Sequence, residues 1–432
     1  MTTASPPTAD ATDPSGPSDE AAPAGAASDE GGRRPPGRRR VRSRWWRFGY
    51  PVALLVLLAA IPLLVWAGLR AILDSTDGQL VKRVTDPAAP GYEAVLEPTP
   101  TDLVVAVGPG GSLDSILVVA LTSDGAGGVL SVPAGTVVPL PGGQVSLRWI
   151  YDELGPEALR TSLGELLDLT FTDAQVVAST EWARLVGPAA PITVDSPDPV
   201  PGADGEERFP RGEVELGPQD VWPYISGQGA SESDLNRLVR VQAFWRGWLA
   251  AIGEAGAGAV PPPADVGLGR FLATLGPARV QFETLPVTEI TPDAAGNEQF
   301  EAAPDALADA VAAIVPFPEG APGGRPRVRM LDGTGVLDNG VAAAIRLAAA
   351  GAQIDVVGNA RSFGQETTQL VYYDPAFAEA AERFRDALGV GEVVHSEQTN
   401  AATDLTVVLG EDYVGRTRGA VASPSTMEGQ GG

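Results

Sequence analysis

An apolar run near the N-terminus extends from Tyr50 to Leu69, and about 20 such residues are enough to span a bilayer as a helix. Eight arginines lie between Arg33 and Arg47, directly before the run. Because positive flanks stay in the cytoplasm, the pattern predicts a transmembrane helix over 50–70, with the N-terminus inside the cell and the rest of the chain outside. The alternative, a cleaved signal peptide, is disfavoured because the run is long and no A-x-A-like site follows it.

Beyond the run, short apolar segments alternate with amphipathic ones from about residue 101 to residue 287. Apolar and β-branched content predicts strands in DLVVAV, DSILVVAL, GGVLSVP and DAQVVAS. The segment GPEALRTSLGELLDL predicts a helix with Pro156 in its first turn, where proline is tolerated. Strands that interleave with helices indicate α/β layering and not a sandwich.

A Pro- and Gly-rich stretch, FPEGAPGGRP, separates a compact last unit. In that unit VRML, QIDVVG, LVYY and TDLTVVLG are strand-like, whereas GVAAAIRLAAAG and AFAEAAERFRDALG are helical. The expected organisation is a disordered cytoplasmic segment with its Arg-rich flank (1–49), a transmembrane helix (50–70), a connector (71–98), a larger domain (99–316), a linker (317–326), a small α/β domain (327–412) and a disordered tail (413–432).

Composition limits the chemistry that the chain can perform. It has no cysteine and one histidine, His395, so thiolate nucleophiles, disulfides and multi-histidine metal sites are excluded. Carboxylates and arginines must therefore carry any reaction. The formal net charge is −25, and an acidic surface repels nucleic acid, so no nucleic-acid partner is expected. Contact with anionic lipids explains the arginine run beside the expected membrane helix.

Familiar nucleotide and hydrolase motifs are incomplete. GTGVLDNG at 333–340 follows a strand and opens a helix, but Asp338 stands where a dinucleotide loop has its third glycine, and no Walker lysine follows. We interpret the stretch as a turn before a helix. No G-x-S-x-G elbow is present, and a serine triad lacks a suitable histidine.

Asp114 places a carboxylate at the mouth of an apolar strand, in GGSLDSILVVAL at 110–121. Two interpretations compete. Either the carboxylate ends a turn before a buried strand, or it projects from the strand into a site that holds a cationic group.

The segment SESDLNRLVRVQAFWRGWLAAI predicts a helix that either serine of SESD can cap. Arg237 and Arg240 are three residues apart and share one face. Two guanidiniums near a helix N-terminus form a good receptor for phosphate, because charge, fork geometry and the helix dipole act together. The alternative is a solvated face on which an arginine pairs with Asp234 or Glu232.

The order of these segments resembles the LytR–CpsA–Psr family. The resemblance rests on an acid at the head of a strand in SLDSILVVAL, a next strand that ends SVPAGTVV, and the segments RWIYDELGPEALRTSLGELLDL, PITVDSPDPV and DLNRLVRVQ. The last unit, with VRMLDGTGV, QIDVVGNA and DLTVVLGEDY, resembles the LytR C-terminal domain, and this second match is the closer one. Together the two resemblances cover roughly residues 100–412.

The resemblance implies a fold and a chemistry. The fold is a three-layer α/β/α domain with a central mixed sheet, followed by a small α/β C-terminal domain. Family members transfer anionic glycopolymers from a polyprenyl pyrophosphate carrier to peptidoglycan, with a carboxylate-held magnesium, arginines on the pyrophosphate and an apolar pocket for the prenyl chain. Carried over to this chain, Asp114 would be a catalytic residue and the Mg²⁺ ligand, and Arg237 and Arg240 would be the catalytic arginine pair.

Charged positions of the family pattern are replaced in this chain. Ala134 and Gly135 stand where a strand usually ends in Arg-Asp, and Ser112 stands where an arginine precedes the acid. SGQ at 226–228 replaces an Arg-x-Arg, and the early acid-bearing loop is reduced to GPGG at 108–111. Because each missing charge-assisted contact forfeits about 1.5–3 kcal/mol, we expect most of the transition-state stabilisation to be lost.

Three functions are compatible with these features. The favoured one is a membrane-anchored extracytoplasmic protein that binds or scaffolds a polyprenyl-linked glycan or lipid during envelope assembly at peptidoglycan. The second is an active Mg²⁺-dependent phosphotransferase that uses Asp114, Arg237 and Arg240, with unmatched arginines such as Arg148 in place of the missing ones. The third, transcriptional attenuation, would require an acidic exported domain to act on DNA.

Overall fold

The structure is a computed structural model that describes residues 84–421, with gaps at 124, 203, 230–231, 322, 337–338 and 399. The expected transmembrane helix at 50–70 and the segment before it lie outside the described residues. Among the residues that are described, no helix is both long and apolar enough to cross a membrane.

The described strands are, in chain order, β1 (Glu93–Val95), β2 (Thr101–Val107), β3 (Leu113–Leu121), β4 (Gly127–Val132), β5 (Val137–Leu140), β6 (Gly143–Ser146), β7 (Asp173–Ala178), β8 (Ile192–Ser196), β9 (Val200–Pro201), β10 (Glu207–Phe209), β11 (Gly212–Leu216), β12 (Val280–Thr284), β13 (Val287–Ile290), β14 (Gln299–Ala302), β15 (Arg327–Asp332), β16 (Gln353–Asn359), β17 (Gln369–Tyr372), β18 (Glu392–His395) and β19 (Leu405–Leu409). The α-helices are α1 (Leu147–Leu154), α2 (Pro156–Leu167), α3 (Trp182–Val186), α4 (Val221–Ser226), α5 (Asp234–Ala255), α6 (Gly267–Leu275), α7 (Pro304–Ile314), α8 (Asn339–Ala349), α9 (Ala378–Leu388) and α10 (Glu411–Val421).

A five-stranded sheet forms the centre of the larger part of the structure, in the order β12-β4-β3-β2-β7. β2, β3 and β4 pair antiparallel, whereas β12 and β7 add parallel strands at the two edges. Side chains alternate along a strand, so Leu103 of β2 joins the core with α1, α2 and α7, while its neighbour Val104 joins the core with α5 and α6. The fold is therefore mixed α/β, with a central mixed sheet and helices on both faces.

A six-stranded mixed sheet, in the order β1-β16-β15-β19-β17-β18, forms the centre of the C-terminal part. β15 lies between two parallel neighbours, β16 and β19. The helices α8 and α9 contribute Leu347 and Phe384 to a core that also includes Val407 of β19. The four strand-like segments of the last unit are all strands of this sheet, as their pattern predicts.

The first strand of the six-stranded sheet comes from the segment expected to be a polar connector. β1 pairs antiparallel with β16, with Glu93 opposite Gly358, and an ion pair joins Glu93 to Arg329 of β15. Gly358 permits this approach, since a Cβ there would lie 2.1 Å from the carbonyl oxygen of Tyr92. Part of the connector therefore belongs to the C-terminal sheet.

The tail that we expected to be disordered from residue 413 starts inside a helix, α10. Asp412 Oδ1 accepts hydrogen bonds from Thr368 N at 2.9 Å and from Thr368 Oγ1 at 2.7 Å. Tyr413 is fully buried in the C-terminal core. The prediction is wrong for residues 413–421, because a polar composition concealed apolar side chains that pack on the sheet.

Candidate functional site

Asp114 is the second residue of β3, at the end of the sheet where β2 finishes. The turn before it closes through its own backbone, with Gly108 N donating to Ser112 O at 2.9 Å. The amide of Leu113 donates to Asp152 Oδ1 of α1 at 3.0 Å. The turn therefore does not need the Asp114 carboxylate, which has another partner.

That partner is Arg237 in the first turn of α5, a helix that Ser233 caps by accepting from Asn236 N at 3.3 Å. Arg237 Nη1 donates to Asp114 Oδ2 at 2.8 Å, and Nη2 donates to Asp114 O at 2.7 Å. Its Nε and Nη2 also donate to Asp234 Oδ1, at 2.9 and 2.6 Å. Arg237 is 3% exposed, so the cationic group that Asp114 holds is a side chain of the same protein.

Arg240 is even more enclosed, at 0% exposed. Its Nη1 lies 2.5 Å from Glu232 Oε1, its Nε donates to Tyr224 O at 3.0 Å, and its Nη2 donates to Gly227 O. Asp234 and Glu232 are thus the acidic partners of the two arginines. The structure brings Asp114 and Arg237 together, whereas Arg240 bonds to other groups, and neither arginine lies on the solvated face that the alternative interpretation assumed.

Two carboxylates compete for one guanidinium at this site. Burial raises the pKa of Asp114, Arg237 lowers it and Asp234 raises it again, with a net increase. Burial lowers the pKa of Arg237, but the charges of Asp114 and Asp234 raise it by more. Asp114 and Asp234 therefore share the single guanidinium of Arg237.

A cleft of 340 Å³ opens beside the cluster. We expected a mainly apolar cavity here, but the lining is polar and includes Arg148, Gln228, Glu232, Asp234, Asn297 and Glu298. Arg148 stands in the first turn of α1. Its side chain makes no hydrogen bond or ion pair with the other residues that the structure describes.

Sequence reasoning missed Glu298, whose Oε2 accepts from Asp234 N at 2.7 Å. The two residues are 64 positions apart, and Glu298 follows a polar loop, TPDAAGN, that has no periodicity. No signal in the sequence could have connected it to the start of α5.

Close packing explains one of the replaced family positions, Gly135, and the other, Ala134, is buried. A Cβ on Gly135 would lie 2.2 Å from the carbonyl oxygen of Glu298, and Gly135 O accepts from Phe300 N at 3.1 Å. Ala134 is fully buried, and its carbonyl accepts from Arg148 N at 2.8 Å. A side chain has no room at Gly135 in this chain, and a charge at Ala134 would be buried.

Aromatic side chains fill the space between α5 and the central sheet. Trp182 of α3 packs with Phe244 and Trp248 of α5, at ring-centroid distances of 5.7 and 6.2 Å. Trp245 lies 5.4 Å from Trp248. All four are at most 1% exposed, so this part of the layer is a packed core.

The expectation of magnesium rests on Asp114. Its Oδ2 already accepts from Arg237, whereas Mg²⁺ needs several hard oxygen ligands in a near-octahedral arrangement. Within the described ranges, no group of three or more His, Cys, Asp or Glu side chains could hold a metal ion. The donor set around Asp114 does not fit Mg²⁺, and no chemical step is assigned to the ion here.

Comparison with known families gives a match in the C-terminal part of the chain. Residues 325–413 match the sequence model of LytR_C, described as LytR cell envelope-related transcriptional attenuator. No curated protein matches the chain.

One similar solved structure is that of B. subtilis TagV, with 15% identity and a TM-score of 0.42. The alignment covers 51% of this chain and 96% of the TagV chain. B. subtilis TagT is 17% identical with a TM-score of 0.41, over 54% and 93% of the two chains. The LytR-CPS2A-psr family protein YwtF (TagT) with bound octaprenyl pyrophosphate lipid is 15% identical with a TM-score of 0.39, over 54% and 92%. The sequence match identifies residues 325–413 as a LytR C-terminal domain, as the resemblance predicted, in a chain that is similar over about half its length to these solved structures.

Proposed function

We propose that this protein is a membrane-anchored, extracytoplasmic protein of the LytR–CpsA–Psr type that binds or scaffolds a polyprenyl-linked glycan during envelope assembly and has lost efficient phosphotransfer. One observation carries the proposal: Arg237 and Arg240, the arginines that match the family's late motif, are buried and bonded to carboxylates and carbonyls of the same chain. A pyrophosphate needs donors that are free to bind it.

The bonding of Arg237 leaves no donor free. A guanidinium has five N–H groups, and Arg237 makes five hydrogen bonds, to Asp114, Asp234 and the carbonyl of Ile225. Turning it toward a phosphate would leave the buried Asp234 and the partly buried Asp114 without their cation, and a broken buried pair costs about 3–5 kcal/mol. The arginine therefore acts as a structural cation.

The rest of the chain supports the location and the partners that we propose. The LytR C-terminal domain at residues 325–413 supports a role in the cell envelope. The apolar run over 50–70 supplies a single membrane anchor with a cytoplasmic N-terminus, which puts both domains outside the cell. The partners that we propose are a polyprenyl-linked glycan or lipid, peptidoglycan and the membrane, and the acidic chain disfavours nucleic acid.

Release of polyprenyl phosphate from a lipid-linked glycan tests the proposal. Purified full-length protein is compared with a family member that keeps the arginine cluster, with and without Mg²⁺. We expect binding of polyprenyl phosphate with little dependence on Mg²⁺, and release slower by about 10³-fold or more, because several charge-assisted contacts are missing. Release at the rate of the intact relative, abolished in a folded Asp114→Asn variant, would show that the activity is retained.

An active phosphotransferase is the second candidate, and Arg148 is the observation that favours it. Arg148 lines the cleft, and its charge lowers the pKa of Asp114, against the larger effect of burial. In that case Arg148 replaces the missing arginines at the cleft. Release of polyprenyl phosphate that disappears in Arg148→Gln would establish the second candidate, and the absence of such release would eliminate it.

A further inference from the structure

The polar cleft beside α5 contains groups that the proposed function does not use. It brings the unpaired guanidinium of Arg148 and the carboxylates of Asp234 and Glu298 around one space of 340 Å³. Ligand sites usually begin at about 300 Å³. The cleft is therefore large enough for a small organic ligand.

Two carboxylates of the cleft lining, Asp234 and Glu298, each have an oxygen without a hydrogen-bond donor in the part of the chain that the structure describes. Asp234 is 5% exposed, its Oδ1 accepts twice from Arg237, and its Oδ2 has no donor among the described residues. Glu298 uses Oε2 to accept from Asp234 N. No hydrogen bond or ion pair of the described part of the chain engages its other oxygen. A buried carboxylate oxygen without a donor is costly, so a ligand that donates here would be stabilised.

The carboxylates of the cleft also outnumber the cations that pair with them. Asp114 and Asp234 share Arg237 as their guanidinium partner, and Arg240 is already paired with Glu232. An ammonium group would supply both the positive charge and the hydrogen-bond donors, since it carries a full positive charge and three N–H donors.

Arg148 provides the opposite charge in the same cleft. It stands in the first turn of α1, where the helix dipole favours anions, and that turn contains no acidic residue. An unpaired guanidinium beside a helix N-terminus is available to a phosphate, which accepts in the fork geometry that arginine offers.

We propose that this cleft binds a zwitterionic ligand of the ammonium–phosphate class, such as an amino sugar phosphate. The ammonium group binds at Asp234 and Glu298, and the phosphate binds at Arg148. The inference is independent of the proposed function, because neither polyprenyl binding nor glycan release enters into it.

Three probes test the proposal by calorimetric titration of purified full-length protein. Glucosamine 6-phosphate carries both groups, N-acetylglucosamine 6-phosphate lacks the ammonium, and glucosamine lacks the phosphate. We expect glucosamine 6-phosphate to bind about tenfold more tightly than either of the others, since each lost charge-assisted contact weakens binding by about that factor. Equal affinity for the two phosphates, or no binding of glucosamine 6-phosphate, overturns the proposal.

Variants then assign each charge to its residue. Glu298→Gln should abolish the preference for glucosamine 6-phosphate over its N-acetyl form, and Arg148→Gln should abolish the preference for it over glucosamine. Glu301→Gln removes an exposed carboxylate of β14 that does not line the cleft, so it should bind all three probes like the wild type. If Glu298→Gln fails to fold, Arg148→Gln and the wild-type probes still decide, and unchanged selectivity in a folded variant contradicts the assignment.

Discussion

Arg237 and Asp114 are 123 residues apart in the sequence and 2.8 Å apart in the structure, measured from Nη1 to Oδ2. The contact joins the first turn of α5 to the start of β3, and a second bond from Nη2 to the Asp114 carbonyl oxygen reinforces it. A side chain that resembles a ligand-binding arginine in the sequence therefore acts in the fold as a clamp between a helix and the central sheet.

The first prediction concerns this clamp. Arg237→Gln should lower the free energy of unfolding by about 3–5 kcal/mol, because the buried Asp234 and the partly buried Asp114 lose their counter-charge. Urea denaturation followed by circular dichroism measures the change. The matched control is Arg184→Gln, at an exposed arginine of α3, which should change the free energy by about 0.5 kcal/mol or less. If both variants are as stable as the wild type, Arg237 has no structural role.

A triple variant separates lost charge from lost packing. Arg237→Met combined with Asp114→Asn and Asp234→Asn removes the cation and both anions together, so no uncompensated charge is left in the core. We expect it to recover most of the stability that Arg237→Gln loses, since replacing a whole buried ion cluster by neutral groups is often close to neutral. A triple variant less stable than Arg237→Gln would argue against the electrostatic explanation.

The second prediction concerns Asp102 on β2, which is 0% exposed. Burial and then the charge of Asp173 raise its pKa from 3.8 to about 7, although Gln175 donates a hydrogen bond to it. Between these two values the unfolded chain loses this proton and the folded protein keeps it. This carboxyl therefore stabilises the fold fully below its unfolded pKa of 3.8, and the stability is lost as pH rises toward 7.

Asp102→Asn should remove that part of the pH dependence. At pH 8 the variant should be more stable than the wild type by on the order of 4 kcal/mol, because one pKa unit corresponds to 1.36 kcal/mol, and the difference should vanish near pH 4. Urea denaturation at a series of pH values measures it. Asp195→Asn, at an exposed residue of β8, is the control and should follow the wild type. If the free energy of unfolding of Asp102→Asn and of the wild type changed with pH in the same way, Asp102 would not be a buried neutral carboxyl.

The third prediction concerns the pairing of β1 with β16. Gly358→Val should separate the two strands, because its Cβ would lie 2.1 Å from the Tyr92 carbonyl oxygen. Hydrogen exchange should then be faster at amides that pair across this edge, such as Leu96 N, which donates to Asp355 O at 2.9 Å. Val95→Thr changes a side chain that is 75% exposed and should keep the wild-type protection. Unchanged exchange in Gly358→Val would disprove the docking of the connector.

The fourth prediction concerns topology. If residues 50–70 form one anchor with the N-terminus inside, protease added to intact protoplasts should digest the C-terminal domain and spare the first 40 or so residues, which the bilayer shields. Immunoblotting with antibodies against each end measures this. Lysed protoplasts provide the control, because both ends should then be digested. A soluble, secreted and shortened form as the main product would show that the apolar run is a cleaved signal.

The local pattern of apolar and polar residues was enough to predict most strands and helices. It could not predict features that depend on contacts between residues far apart in the sequence. The serines of SESD predicted the start of α5, and Ser233 is its cap. The position of Asp234 and Glu232 on or just before the same helix predicts them as partners of its arginines. Glu298 could not be found, since only the folding of a distant loop brings it to α5. β1 was missed because three residues carry too little periodicity to indicate a strand.

The pairing of β1 with β16 also determines how the molecule responds to force. β1 precedes the five-stranded sheet in the chain and β15 follows it, so the larger domain is an insertion between two strands of one sheet. Tension applied to the chain before β1 is therefore carried first by the short β1–β16 ladder and by the ion pair of Glu93 with Arg329. While the ladder holds, tension on the chain before β1 passes into the C-terminal sheet and does not reach the inserted domain along the chain.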